Sequence, residues 1–412
     1  MQPKSFFVLA GPLLLVLFID GMGLGLVIPV LNGLIFDPNS QFLPANDFSP
    51  VMHNVIYGAI ISIFMLCWFF GAAILGDLSD QIGRKRSLII CLAGAFLSYI
   101  LSAFAVNFSS LSLLLLGRII AGVTSGSQPI AQAAIIDLST SATKARNLGY
   151  ILLALSLGFI FGPLFGGLLS DKTICSSFDF ATPFYFAAII SFLNIILLWF
   201  LFNETFVSKS TTLAINPYQA INIFISAFKN EKVRALSILF FIYIFGWSSY
   251  YSFVSLFLLK VYALSSTQVS LFMAVMGIGF GIGTGFVVNR LAAIFPLRQI
   301  YTYCSLLCAL IIFVMLLIPG SLSFWLLVAP LACFISVSYT SILTLFSNAV
   351  DEKSQGWVMG ITGSVMAFDW AINGMIVGVA AAWNAYYPMY IAAVVLFFAG
   401  LLTFKLLKSN EK

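Results

Sequence analysis

Long apolar stretches, separated by short polar breaks, are the feature that most constrains how this chain can fold. Such a stretch recurs about twelve times, and each has about the 20 residues that a helix needs to cross a bilayer core. Strands of a transmembrane barrel are shorter and alternate in polarity. The sequence therefore predicts an all-α membrane protein with twelve transmembrane helices. The approximate spans are 6–34, 54–76, 87–106, 111–137, 148–170, 183–203, 234–260, 267–289, 298–318, 324–347, 357–382 and 389–407.

The charged residues agree with a membrane protein and orient it. They make up 8% of the 412 residues, whereas soluble domains carry about 25%. If the N-terminus is cytoplasmic, nearly all Lys and Arg residues fall on the cytoplasmic side, except Lys172 and Lys260 outside and Arg118 within the fourth span. Both termini are therefore predicted to be cytoplasmic. With 19 basic and 14 acidic residues the chain has no basic patch, which excludes nucleic-acid binding.

The longest polar interruption divides the chain near its middle. It contains a short amphipathic stretch, Tyr218 to Phe228, of the kind that lies along a membrane surface. We therefore predict an N-terminal six-helix bundle over residues 1–203, a cytoplasmic central loop over 204–233 and a C-terminal six-helix bundle over 234–412.

Cysteine and histidine usage gives no sign of a metal, a cofactor or an enzyme. Of the six cysteines only Cys175 falls in a loop, so no loop disulfide is expected within one chain, and His53 is the only histidine. A membrane enzyme or receptor would need a nucleophile, a metal cluster or a domain outside the membrane. The loops are too short to hold such a domain, so neither class is predicted.

Three motifs carry a resemblance to a known family. Residues 76–86 read GDLSDQIGRKR and resemble motif A of the major facilitator superfamily, in the loop between the second and third spans where that family has it. Residues 118–126, RIIAGVTSG, resemble motif B. The fifth span, with Gly158-x-x-x-Gly162-Pro163-x-x-Gly166-Gly167, resembles motif C of drug:proton antiporters, and Asp20 resembles the first-helix acid of that group.

The resemblance extends to tetracycline-efflux-like transporters, with two departures. Gln81 stands where the family usually has a basic residue, and Asp369 has no counterpart that the group leads us to expect. The resemblance implies a proton-coupled transporter that exports a small amphiphilic organic compound by alternating access across a bacterial-type inner membrane. Its expected partners are that compound, protons and lipid, and we expect a monomer. The alternative is a metabolite or siderophore carrier, or an uptake symporter, although motif C favours export.

Ionisable residues inside the membrane are the candidates for proton coupling. Asp20 and Asp369 are the acids well inside predicted spans, and Arg118 is the base. A carboxyl that moves between apolar surroundings and an arginine can take up and release a proton, which suits Asp20 and Arg118. The alternatives for Asp20 are a permanent structural ion pair or a helix-packing hydrogen bond. Arg118 could instead only brace the fourth span, and Asp369 could bind substrate or make a structural contact.

Motifs A and C are candidates for gating. Gly76 and Gly83 are expected to allow close packing and a tight turn, Asp80 to face the N-terminus of the eleventh helix, and Asp137 to pair with Arg84. The alternative is that motif A only fixes the orientation of the protein in the membrane. The smooth face of the fifth span is expected to contact a helix of the other half and limit leakage, or else to serve generic packing. That face comprises Gly158, Gly162, Pro163, Gly166 and Gly167.

Amides and aromatic rings within the spans are candidates to line a substrate cavity between the halves. Rings beside a few amides suit an amphiphilic organic molecule. The candidates are Gln128, Gln132, Asn194, Trp247, Tyr250, Tyr251, Tyr339, Trp370 and Asn373.

Overall fold

The computed structural model describes residues 6–37, 40–43, 49–140, 143–205, 218–351 and 354–407. Both chain ends and residues 206–217 of the predicted central loop lie outside the described residues, so the cytoplasmic location of the termini stays a prediction. Within the described ranges the regular structure is helical. Twelve helical segments there are long and apolar enough to cross a membrane, which confirms the predicted number.

The helices follow one another along the chain with short connections. Their bounds are α1 Phe6–Phe36, α2 Pro50–Ile82, α3 Arg84–Asn107, α4 Leu111–Thr124, α5 Ser127–Asp137, α6 Lys144–Leu168, α7 Thr182–Leu201, α8 Gln219–Lys229, α9 Arg234–Tyr262, α10 Ser266–Ile282, α11 Val288–Ala292, α12 Leu297–Leu317, α13 Leu322–Asn348, α14 Gln355–Trp383 and α15 Tyr387–Leu406. The short α8 occupies the amphipathic stretch of the central loop.

The fourth span is built from two helices rather than one. α4 ends at Thr124 and α5 begins at Ser127. The hydroxyls of Thr124 and Ser125 donate to the carbonyls of Ile120 and Ala121, at 2.8 and 2.6 Å, and such back-bonding competes with the helical ladder. The break gives α5 its own N-terminus in the middle of the span.

The eighth span contains a π-helical turn, Gly283–Val287, between α10 and α11. A Cβ at Gly283 would lie 2.5 Å from the carbonyl oxygen of Cys333 in α13, so the glycine lets the two helices approach closely. The extra residue in this turn interrupts the regular helix, as π-bulges do.

Contacts divide the chain into two compact units. The first comprises Met1–Phe48 and Ile63–Gln219, and the second comprises Ser49–Ser62 and Ala220–Lys412. The first turns of α2 thus belong to the second unit, although α2 is one continuous helix. The sequence-based bundle limits of 1–203 and 234–412 stay a prediction.

In the first unit, α1 packs along α6 through glycines. A Cβ at Gly158 would lie 2.5 Å from the carbonyl oxygen of Phe18, and one at Gly162 would lie 2.5 Å from that of Met22. On the facing helix, a Cβ at Gly21 would lie 2.8 Å from the carbonyl oxygen of Leu155. The expectation that these motif C glycines contact a helix of the other half is therefore wrong, because their face is occupied by α1 of the same half.

In the second unit, α9 is the most buried of the twelve spans. It packs against α14 and α15 and also contacts α10 and α13. Its buried face is polar as well as aromatic, because Ser248, Ser249, Ser252 and Ser255 are each at most 1% exposed. Two of these serines bond to α14, Ser248 to Asp369 and Ser249 to Asn373.

Candidate functional site

Asp20 is held by one hydroxyl from α5. Ser127 donates to both carboxylate oxygens, at 2.8 Å to Oδ1 and 2.9 Å to Oδ2. Ser127 is the first residue of α5, so the break in the fourth span puts the N-terminus of α5 beside this carboxylate. The positive end of a helix dipole favours a negative charge nearby. Among the described residues Asp20 makes no ion pair within 4.0 Å. Sequence reasoning missed Ser127 because the apolar fourth span reads as one continuous helix.

Arg118 is buried in α4, with 4% of its surface exposed. Its Nη2 donates to Ser102 Oγ at 3.1 Å, and its guanidinium carbon lies 6.0 and 5.9 Å from the ring centroids of Phe64 and Phe184. Its Nε has no hydrogen-bond partner in the described chain. The described structure does not bring Arg118 into an ion pair with Asp20, and their joint role stays a prediction.

Tyr99 of α3 is a residue that sequence reasoning missed. Its hydroxyl contacts Gly23 of α1, three residues after Asp20. Tyr99 therefore packs against α1 about one turn from Asp20. Tyr99 stands next to Ser98 in the third span, and nothing in the sequence sets it apart from the other polar residues there.

Motif A forms a cluster of charged side chains around Arg84. Arg84 Nη1 lies 2.7 Å from Asp80 Oδ1, and Nε lies 3.8 Å from Asp137 Oδ2. The predicted pairing of Asp137 with Arg84 is present. Asp80, which was expected to face the eleventh helix, shares the same guanidinium, and Ser79 Oγ accepts from Nη1 at 2.5 Å. Asp80 is 59% exposed, so its pair contributes little to folding stability.

A carboxylate from the end of the sixth span caps α3. Glu204 accepts from the backbone N–H groups of Arg84 and Lys85, at 2.9 and 3.0 Å. These are unpaired donors at the positive end of the helix dipole. Gly83 has a φ of 99° and a Cβ there would collide with this carboxylate, so glycine is required twice over. Sequence reasoning missed Glu204 because about 120 residues separate it from the helix that it caps.

Gly76 does not behave like Gly83. A Cβ at Gly76 would meet no heavy atom within 4 Å in the described chain, so the expectation of close packing there is wrong. The neighbouring Asp77 instead accepts from Gln219 Nε2 at 2.8 Å. This hydrogen bond connects motif A to the first residue of α8.

A second polar cluster joins α14 to α9 in the second unit. Ser248 Oγ donates to Asp369 Oδ2 at 3.1 Å. Asn373 Nδ2 donates to Ser249 Oγ at 2.7 Å and to the Phe245 carbonyl at 3.1 Å. Asp369 and Asn373 are both 0% exposed, and Asp369 Oδ1 and Asn373 Oδ1 have no partner among the described atoms.

Aromatic candidates border this cluster. Trp247 and Tyr251 have ring centroids 5.4 Å apart, and Tyr251 and Trp370 are 5.6 Å apart. Tyr250 stacks on Trp247 at 5.9 Å, but its hydroxyl is directed at Met315 Sδ, 3.8 Å away. Tyr339 packs on Phe240 at 6.0 Å. The structure therefore brings Trp247, Tyr251 and Trp370 together, whereas the hydroxyl of Tyr339 is directed at Met366 Sδ of α14, 3.8 Å away.

The remaining candidates for substrate binding lie in the first unit. Asn194 of α7 is fully buried, and neither of its amide atoms has a partner in the described chain. Gln128 and Gln132 lie one turn apart on α5 and are half-buried. Their role in binding a substrate stays a prediction.

Comparison with known proteins decides the family. The sequence model of the Major Facilitator Superfamily matches residues 13–373, which is most of the chain. The chain belongs to the Major Facilitator Superfamily. Members of this superfamily are transporters and not enzymes, and the relatives below place this transporter among multi-pass proteins of the bacterial inner membrane.

Several relatives carry drug-resistance names. The chain is 34% identical to the class H tetracycline resistance protein of Pasteurella multocida over 193 residues, which is 47% of this chain and 44% of that protein. It is 27% identical to the class E tetracycline resistance protein of Escherichia coli, over 85% of this chain and 82% of that protein. It is also 27% identical to the quinolone resistance protein NorA of Staphylococcus aureus, over 91% and 90%. The matches to the class H, C and B tetracycline proteins span only about half of those proteins' length.

Solved structures confirm the Major Facilitator fold. The xylose transporter XylE of Escherichia coli aligns over 100% of both chains with a TM-score of 0.75 and 14% identity. The human organic anion transporter MFSD10 aligns over 98% of this chain and 100% of that chain, with a TM-score of 0.70 and 20% identity. At these identities the likeness concerns the fold alone.

Proposed function

We propose that this Major Facilitator protein is a proton-coupled exporter of a small amphiphilic organic compound that works by alternating access. The observation that carries the proposal is the carboxylate of Asp20, inside the first span, which has a single hydroxyl donor and no basic partner within ion-pair distance in the described chain. Such a group inside a membrane is costly as an ion unless its charge is compensated. A proton that binds and leaves during the cycle compensates it.

Arg118 completes the proposed proton step. In the described structure its guanidinium is bound to Ser102 and to two aromatic rings rather than to a carboxylate. In the proposed cycle Asp20 takes a proton from the outside, and a later approach of Arg118 stabilises the carboxylate and helps to release the proton inward. Tyr99, whose hydroxyl approaches Gly23 three residues after Asp20, is a candidate to position the carboxylate.

Two features of the first unit support a gating role for motif A. Arg84 binds Asp80 and Asp137 at the predicted cytoplasmic ends of α2 and α5, while Glu204 fixes the N-terminus of the helix that carries Arg84. In the proposed cycle this cluster holds the cytoplasmic side closed and rearranges when that side opens. The glycine contact between α1 and α6 keeps Asp20 on a well-packed helix.

The proposed substrate class rests on the candidate side chains and on the relatives' names. Aromatic rings beside amides favour a molecule with a ring system and a few polar groups. Proteins similar to this chain are named for resistance to tetracycline and to quinolones. A tetracycline, a quinolone and a cationic dye therefore form the first panel to test.

The test is transport in proteoliposomes that carry an imposed pH gradient. Wild-type protein is expected to accumulate at least one panel compound against its gradient and to move protons in the opposite direction. Asp20→Asn is expected to abolish gradient-driven accumulation but to retain exchange of the compound, because the amide keeps the shape and cannot carry the proton. Asp351→Asn, in an exposed loop, is the matched control.

Three results would contradict the proposal. Gradient-driven accumulation by Asp20→Asn at the wild-type level would remove Asp20 from coupling. Proton movement in the same direction as the compound would indicate an uptake symporter. Transport of a metabolite or siderophore in place of every panel compound would make the chain a carrier of that class.

A further inference from the structure

Among the described buried side chains of the second unit, one carboxylate oxygen and one amide oxygen lack a hydrogen-bond donor. They are Asp369 Oδ1 and Asn373 Oδ1, one helical turn apart on α14, and both residues are 0% exposed. Residues four apart lie on the same face of a helix. Buried acceptors are almost always paired, so a neighbouring pair of unpaired acceptors calls for an explanation.

The surrounding hydrogen bonds fix which way the amide of Asn373 points. Ser249 Oγ donates to the Phe245 carbonyl at 2.6 Å, so its hydroxyl hydrogen is already used. It can then only accept from Asn373 Nδ2, which also donates to Phe245. The amide nitrogen therefore faces α9, and Oδ1 is left on the other side of the group.

The carboxyl of Asp369 has one donor for two oxygens. Ser248 donates to Oδ2 at 3.1 Å but also lies 3.3 Å from the Phe245 carbonyl, so its one hydrogen is shared between two acceptors. The described chain offers no ion pair to this carboxyl within 4.0 Å. A neutral carboxyl has one hydroxyl hydrogen to donate, whereas an ionised one only accepts. A proton on Asp369 Oδ1 would make this oxygen a hydrogen-bond donor. Asn373 Oδ1 would then have a donor to accept from.

We infer that Asp369 and Asn373 form a second proton-binding site, in which a carboxyl proton on Asp369 Oδ1 is donated to Asn373 Oδ1. The inference rests on the proposed proton-coupled function and adds a second coupled proton to it, in the half of the protein that does not contain Asp20. Ser248 and Ser249 are the positioning residues, since one holds the carboxyl and the other orients the amide.

Other occupants fit the site less well. A substrate amine would have to reach a carboxyl with no exposed surface. A metal cation would need several free oxygens, but those of Ser249 and Phe245 are already engaged with each other and with Asn373. Among the described residues no group of three His, Cys, Asp or Glu side chains is placed to hold a metal ion.

The groups around Asp369 leave its charge uncompensated. The fixed charges on the helices packed around α14 lie at helix ends. Lys260 of α9 is 12 residues from Ser248, about 18 Å along a helix, and donates to Asn54 at 3.2 Å. The titratable and charged groups on the segments that pack against α14 are Lys229 of α8; Arg234, Tyr243, Tyr250, Tyr251, Lys260 and Tyr262 of α9; Cys333 and Tyr339 of α13; Tyr387, Tyr390 and Lys405 of α15; and His53 and Tyr57 of the first turns of α2, residues 50–62.

Infrared difference spectroscopy on the purified protein tests the inference without a substrate. Wild-type protein at neutral pH is expected to show a protonated-carboxyl stretch that shifts in D2O and is lost in Asp369→Asn. Asn373→Leu is expected to keep the band at a shifted frequency, because the proton stays while its acceptor is removed. Thr362→Val removes a hydroxyl bonded only within its own turn of α14 and is the matched control.

Transport gives a second, independent readout with tetracycline as the probe. Each coupled proton supports about a tenfold concentration gradient per unit of pH difference. Asp369→Asn is expected to lower the largest tetracycline gradient about tenfold in a gradient of about one pH unit while transport itself continues. If wild-type protein does not move tetracycline, the proposed substrate class fails, whereas the infrared result still decides the proton site.

Three outcomes would overturn the inference. An infrared spectrum of Asp369→Asn that keeps every acid band would mean that Asp369 is ionised at rest. A band that disappears on adding NaCl at constant pH would identify a metal cation as the occupant. If Asp369→Asn loses transport of the cationic dye alone and moves an unchanged number of protons per tetracycline, Asp369 is a substrate-binding residue.

Discussion

At the scale of single residues, the two acids inside the membrane share one arrangement. Asp20 and Asp369 each take a hydrogen bond from a single serine on a neighbouring helix, and each lacks an ion-pair partner in the described chain. A hydrogen bond to a charged group contributes about 1.5–3 kcal/mol, which is less than the cost of burying an unpaired charge. Both sites are therefore suited to a change of protonation rather than to a permanent charge.

Arg118 provides the residue-scale prediction. Arg118→Ala is expected to abolish proton-driven transport, and Arg118→Lys to restore it only in part. A lysine keeps the charge but not the planar fork that donates to Ser102 while lying against Phe64 and Phe184. Loss of that hydrogen bond, about 1.5 kcal/mol, corresponds to about a tenfold lower rate.

The measurement is the initial rate of proton-driven uptake into proteoliposomes at equal protein content. Arg290→Lys, the same exchange at an exposed position of α11, controls for nonspecific effects. Wild-type rates in Arg118→Lys would mean that only the charge matters, and wild-type rates in Arg118→Ala would contradict a role in coupling.

At the scale of elements, the contact between α1 and α6 depends on glycines rather than on hydrophobic burial. Lipid tails are as apolar as leucine side chains, so membrane helices gain from close packing. Gly21-x-x-x-Gly25 on α1 faces Gly158-x-x-x-Gly162 on α6, with the Pro163 ring against Gly25. The spacing on both helices was visible in the sequence, but the sequence did not reveal which pair of helices the two motifs would join.

This contact predicts a contrast between two glycines of the same helix. Gly158→Ala is expected to destabilise the protein by about 1–3 kcal/mol, because its Cβ would lie 2.5 Å from the backbone oxygen of Phe18. Gly149→Ala is expected to be neutral or to stabilise by up to about 1 kcal/mol, because a Cβ there meets no atom within 4 Å. Thermal unfolding in detergent measures both, and equal effects would contradict the packing role.

The cap on α3 gives a second contrast, this time within motif A. Gly83→Ala is expected to cost more than about 1 kcal/mol, since a side chain at a φ of 99° is strained and would displace Glu204. Gly76→Ala in the same motif is expected to leave the melting temperature unchanged, because its Cβ position is open. If Glu204→Gln lowers stability as much as Gly83→Ala does, the charge of the cap carries the effect; if Gly83→Ala is harmless, the cap has no structural role.

Elements were easier to predict than the contacts among them. The number of spans follows from length and hydropathy, which are properties of each segment alone. The break before Ser127 depends on hydroxyls bonding back to their own helix, which an apolar run conceals. Ser127, Tyr99 and Glu204 became recognisable only through packing, because their partners are distant in sequence. The pairing of Arg84 with Asp137 could be anticipated because two opposite charges at the same membrane face have few other partners.

At the scale of the whole molecule, transport by alternating access requires the cytoplasmic side to open and close. In the proposed cycle the motif A cluster controls this opening. Asp80 and Asp137 both bind Arg84, at 2.7 and 3.8 Å, and both carboxylates keep contact with solvent. Exposed ion pairs contribute at most about 1 kcal/mol. An energy of that size does not decide whether the protein folds, but it shifts the ratio of two conformations about fivefold.

Asp80→Asn is therefore expected to leave the protein inserted and folded while raising the population open to the cytoplasm by up to about fivefold, because one of the two carboxylates on Arg84 loses its charge. Single cysteines are introduced on the predicted cytoplasmic and outer faces, in a Cys175→Ser background that removes the exposed native thiol. The expected change is faster thiol labelling on the cytoplasmic face and slower labelling on the outer face. Glu231→Gln, which neutralises an exposed acid outside this cluster, controls for the altered net charge. Asp80→Glu restores a negative charge beside the guanidinium of Arg84 on a longer side chain. This variant is expected to return labelling toward the wild-type pattern. Unchanged labelling on both faces in Asp80→Asn would reduce motif A to a determinant of membrane orientation, because its ion pairs would then have no influence on which side is open.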